Sequence, residues 1–163
     1  MIKTKTLVFM TIIMIALTGC GKVGQERLTV YSFSGENEQL TISNGIIVLN
    51  GTEEIFSGGD LKATNDFFTD ITSYSTTFYT MSDSEKDVIL SNSVVDMTGG
   101  TVNVSGDLGQ VSGDSIISRI KIDDTSDLNN TLYFELTTKD KNGKESVYQL
   151  QMSLKEITKN ANN

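Results

Sequence analysis

Apolar and polar positions alternate in short runs along most of this chain, and helical spacing is not sustained over any helix-length window. Threonine, valine, isoleucine and tyrosine fill the runs, which are broken by Asn-Gly, Gly-Gly and Ser-Gly-Asp. The pattern predicts an all-β fold, an antiparallel β-sandwich with short hairpins, as a single domain over residues 28–157. Strands outside the hairpins are expected at 28–33, 53–56, 71–81, 88–90, 94–97, 101–104 and 116–122. The chain has no proline, so its edge strands can be guarded only by charge or glycine.

Two hairpins can be placed by register. A two-residue Asn44-Gly45 turn would set Ile42 opposite Ile47 and Leu40 opposite Leu49, with all four on one face. For the second, a two-residue Asn142-Gly143 turn would oppose Leu136 to Gln149 and Phe134 to Gln151, mixing apolar with polar. A three-residue loop, Lys141-Asn142-Gly143, with Gly143 left-handed, instead pairs Leu136 with Tyr148, Phe134 with Leu150 and Leu132 with Met152. Those six side chains are expected in the core, with Tyr133, Glu135, Gln149 and Gln151 outward.

The first twenty residues have a different character. Lys3 and Lys5 precede eleven uncharged residues, 7–17, the length of a secretory signal core and short of the roughly 18 needed to span a bilayer. The run closes on Leu17-Thr18-Gly19-Cys20, which holds the only cysteine. This stretch resembles the lipobox of bacterial prolipoproteins. The resemblance implies that a helical signal peptide, residues 1–19, is removed and that Cys20 carries acyl chains. It places the protein at the cell membrane, lipid-anchored and facing the extracytoplasmic side. Residues 20–27 then form the acylated cysteine and a short flexible tether. Six of them, 21–26, reach at most about 20 Å, so the domain should ride close to the bilayer. Residues 158–163 are polar and aperiodic, and a disordered tail is expected there.

Charge narrows the partners. Residues 1–19 hold two lysines and no acid, so their removal takes the net charge from −8 to −10. Such a surface repels phosphate backbones, and no nucleic acid is expected as a partner. The densest basic cluster, Lys139, Lys141 and Lys144, is interrupted by Asp140 and Glu145, which leaves the lipid on Cys20 as the membrane contact.

Catalytic constellations are thin. The chain has no histidine, so a Ser-His-Asp triad is impossible, and an acylated cysteine cannot act as nucleophile. Ser118 and Lys121 match the S-x-x-K motif of penicillin-binding proteins and class A β-lactamases, but the S-D-N and K-T-G companions are absent. On a strand those two side chains would also point to opposite faces. Glu53 and Glu54, adjacent on an expected strand, cannot form a glycosidase pair by themselves.

Residues 123–130 supply oxygen donors, yet Leu128 and Phe134 stand where an EF-hand needs glycine and glutamate. The echo Val104-Ser105-Gly106-Asp107 and Val111-Ser112-Gly113-Asp114 reads as a turn and a strand start. No cofactor and no tight metal site are expected. The remaining chemistry lies in 71–81, where Tyr74, Phe78 and Tyr79 crowd a strand that can bury one face deeply, so exposed members could stack on a sugar or grip a peptide. The expectation is a non-enzymatic, membrane-tethered binding or accessory module that recognises an envelope protein or a glycan. A structural or inhibitory lipoprotein capping another protein comes second, and a carboxylate-based hydrolase third.

Overall fold

The computed structural model describes residues 28–82, 85–114, 116 and 131–158, which form two antiparallel sheets packed face to face. In chain order the strands are β1 (Thr29–Glu36), β2 (Leu40–Leu49), β3 (Glu54–Ser57), β4 (Asp60–Ala63), β5 (Ile71–Ser82) and β6 (Glu85–Val95). They continue with β7 (Gly106–Asp107), β8 (Gln110–Gly113), β9 (Leu132–Asp140), β10 (Glu145–Gln151) and β11 (Ser153–Glu156). The first sheet runs β11-β1-β2-β3-β8, with β4 continuing along β2 beyond β3 and β7 lying against β4. The second runs β10-β9-β5-β6. This is the all-β sandwich that the alternation predicts. No helix among the described residues is long and apolar enough to cross a membrane.

Alternation puts one residue in two of each strand into the space between the sheets. Four phenylalanines form its centre, Phe33 and Phe56 from the first sheet and Phe78 and Phe134 from the second, with successive ring centroids 5.0–5.2 Å apart. Leu40, Ile42, Ile47, Leu132, Leu136 and Met152 fill in around them. Met152 also marks a corner. There the chain leaves β10 in the second sheet and enters β11 in the first, closing one side of the sandwich. On the other side Asn92 of β6 donates to the Leu108 carbonyl at 2.6 Å, tying the sheets together.

The second hairpin has the expected register: Leu136 faces Tyr148 and Phe134 faces Leu150. Gly143 has φ of 79°, its N–H bonds the Asp140 carbonyl, and the Asp140 carboxylate accepts from the backbone of Asn142 and Lys144.

The Asn44-Gly45 turn is corrected. Residues 40–49 are one continuous strand, with no reversal at Asn44. Between Phe33↔Gly45 and Gly35↔Ile42 the partner strand advances two residues while β2 advances three, so β2 carries a bulge. The extra residue flips the parity of the strand. Leu40 and Ile42 before it and Ile47 and Leu49 after it therefore share the inner face, as the hydrophobic pattern requires. Asn44 takes the left-handed φ of 60°, and its side-chain amide bonds Asp60 at 2.8 Å. Gly45 lies beneath the Phe33 ring, which occupies the space a Cβ would need. Long-range packing of that ring overrides the local turn preference of Asn-Gly.

Other boundaries also move. The expected strands at 88–90 and 94–97 are one strand, β6. Residues 101–104 are not a strand, although Val104 is buried and Val102 bonds the Ile71 carbonyl. Strands β4, β7, β8 and β11 are not among the strands expected from the sequence. Cys20, the tether, Ser118, Lys121 and the loop 123–130 lie outside the described residues, as does nearly all of the expected strand 116–122.

Candidate binding face

The outer face of the second sheet is set out by three registers, β6 on β5, β5 on β9 and β9 on β10. Because side chains alternate, Tyr74, Thr76, Phe78 and Thr80 of β5 point inward, and Ser73, Ser75, Thr77 and Tyr79 outward. Read across the strands, Ser73 lies beside Val95 and Lys139, and Ser75 beside Ser93 and Thr137. Thr77 lies beside Ser91 and Glu135, and Tyr79 beside Val88 and Tyr133. Six short hydroxyl side chains thus form a continuous grid, spaced roughly 4.8 Å across the strands and 6.8 Å along them. Thr77 and Ser91 are in contact through their hydroxyls at 3.2 Å. A shallow groove of about 210 Å³ crosses this grid, walled by Val95 on one side and by Lys139 and Glu145 on the other. Lys139 and Glu145 approach to 3.8 Å and offset each other's charge.

One end of the face is closed by a polar strap. Lys86 reaches back from β6 to Glu135 at 2.7 Å, passing 4.5 Å above the Tyr79 ring. Gln149 donates to the same carboxylate oxygen at 2.7 Å. These two donors hold the Glu135 carboxyl below the ordinary range, with the Lys86 ammonium the larger cause. Glu135 in turn pushes Lys86 up, and burial pushes the Tyr79 phenol up. A carboxylate so engaged is an anchor for its neighbours and is not poised to deliver a proton.

The three aromatic candidates separate. Phe78, 1% exposed, is part of the core, and Tyr74 is half-buried against the same core. Tyr79 points outward but is only 3% exposed, because Tyr133 stacks on it at 5.6 Å and Lys86 covers it. The hydroxyl grid is therefore the accessible chemistry of this sheet. Its signal in the sequence was the alternation Ser73-Tyr74-Ser75-Thr76-Thr77, in which every outward position is a hydroxyl.

A larger depression, about 410 Å³, lies on the first sheet among Ser34, Glu36, Ser43, Gln151 and Ser153. Its shape follows from two backbone features, the β2 bulge and the corner between β10 and β11. At the Ser-Gly-Asp echo, Asp107 caps the Gly109 N–H and sits opposite Asp60 in the ladder. Among the described residues no three of His, Cys, Asp and Glu are grouped as metal ligands. No family model matches the chain, and neither a curated protein nor a solved structure matches it.

Proposed function

We propose that this protein is a lipid-anchored, extracytoplasmic recognition module that binds a neutral glycan of the envelope through the outer face of the β10-β9-β5-β6 sheet. The carrying observation is the grid of short hydroxyls at Ser73, Ser75, Thr77, Ser91, Ser93 and Thr137. Short hydroxyls donate and accept alike and lose little rotamer entropy on binding, so such a surface suits a ligand that is itself a lattice of hydroxyls. The groove is open and shallow, as an extended chain requires. The lipobox-like Leu17-Thr18-Gly19-Cys20 supplies the tether.

The test is a glycan array probed with the acylated protein and with Ser75→Arg, which places a long charged side chain in the middle of the grid. Wild-type capture of neutral saccharides, lost in the variant at unchanged melting temperature, supports the reading. Cys20→Ser should release the chain from membranes without altering capture. An empty array would overturn the glycan reading and favour the second one, a lipoprotein that caps another protein, for which the side of β6 left unpaired among the described residues is the relevant feature.

A further inference from the structure

Strand β6 is eleven residues long and, among the described residues, pairs only with β5, so its other side presents a row of backbone N–H and C=O groups. Edges of that length are usually blunted by proline, by an outward lysine or by a bulge. Here proline is absent, and Lys86 folds back onto Glu135 and Tyr79. The bulge at Ile89 affects only the first part of the strand, because Leu90 to Val95 pair with Phe78 to Ser73 without interruption. Val88, Val94 and Val95 are exposed along this edge, and Met97 just beyond it is 94% exposed.

Charge along the edge is uneven. Residues 88–95 are uncharged, while Glu85 and Asp87 stand exposed at one end and Asp96 follows at the other. A second copy pairing antiparallel would bring those acidic ends together, which is unfavourable. A segment with basic ends would meet them favourably.

We propose that the edge of β6 that is unpaired among the described residues takes up, by strand addition, an extended segment of a partner protein that is uncharged over about eight residues and basic at both ends. This goes beyond glycan recognition, since it uses the backbone edge and leaves the hydroxyl grid exposed. Ser75→Arg is therefore expected to leave it intact.

The probe is a synthetic peptide of about ten residues, alternating threonine and valine between lysine ends, titrated into the full acylated chain. The lysine-ended peptide should bind at least about tenfold more tightly than a glutamate-ended one, with the gap narrowing as salt is added. Backbone N-methylation along the pairing edge should abolish binding. Glu85→Lys combined with Asp87→Lys should reverse the preference. In the wild type, hydrogen exchange reads the edge directly: amides of residues 88–95 that exchange freely in the chain alone should become protected by the peptide. Failure of every peptide, equal binding of the N-methylated one, or charge-independent affinity would overturn the proposal. So would protection of all those amides in the chain alone, which would mean the edge is already occupied, or a dimer formed through β6.

Discussion

Substituting Gly45 tests whether the Asn-Gly step is a bulge built around a ring or an ordinary turn. Gly45 is not among the residues with positive φ, so alanine meets no backbone strain there. The obstacle is steric: an added Cβ falls within the Phe33 ring, and that ring is 2% exposed, stacked on Phe56 at 5.2 Å and edge-on to Phe78 at 5.6 Å. With no open side to move toward, the ring can yield only by disturbing both neighbours. Overpacking of this kind costs roughly 1–3 kcal/mol. For a domain of this size Gly45→Ala should therefore lower the melting temperature by about 5–10 °C. Phe33→Leu alone should also destabilise, through lost ring contacts and a residual cavity. Leucine leaves room for the Cβ, so the double variant should be more stable than the summed single effects by about 1 kcal/mol or more. The assay is urea unfolding of all four proteins. Strict additivity would refute the reasoning, because a turn glycine has no reason to depend on residue 33.

Thr80→Val should stabilise by about 1 kcal/mol: the Thr80 hydroxyl is fully buried with no hydrogen-bond partner, and valine keeps its shape. A lower unfolding midpoint in urea would show that the hydroxyl is satisfied after all. Gly143→Val should cost on the order of 1 kcal/mol or more, because the nearest atom to a new Cβ is 3.9 Å away and the penalty comes from φ of 79° alone; equal stability in urea would contradict it. The depressed Glu135 carboxyl contributes stability fully present above the ordinary carboxylate range, about pH 4.3, and lost as the pH falls through its lower folded value. Thermal melts of wild type and Glu135→Gln should therefore converge in acid and separate by less than about 1 kcal/mol near neutrality, since half-exposed Lys86 pairs weakly.

What the sequence made legible was whatever rested on local agreement between turn chemistry and alternation. The Phe134 to Leu150 hairpin meets that condition, and only one loop length kept both faces consistent. At Asn44-Gly45 the same reasoning found the correct inner face but the wrong backbone, because the deciding group, Phe33, belongs to a different strand. Strands β4, β8 and β11 are four residues each, and Asp60–Ala63 and Ser153–Glu156 mix charge into so short a run that alternation barely registers. Their existence depends on neighbours already in place. Tyr79 shows the same limit at the candidate site. Its outward direction was readable from the strand period, but its burial under Lys86 and Tyr133 needed the registers of β6 and β9.

The central claim, that the hydroxyl face of the second sheet is the recognition surface, is tested most directly by nuclear magnetic resonance. Neutral saccharide fragments would be titrated into the isotope-labelled protein. The expected result is saturable shifts concentrated at Ser73, Ser75, Ser93, Thr137 and Lys139, and absent in Ser75→Arg. Shifts confined to the depression around Ser34, Ser43 and Ser153, no shifts with any fragment, or cleavage of the saccharide during the titration would contradict it.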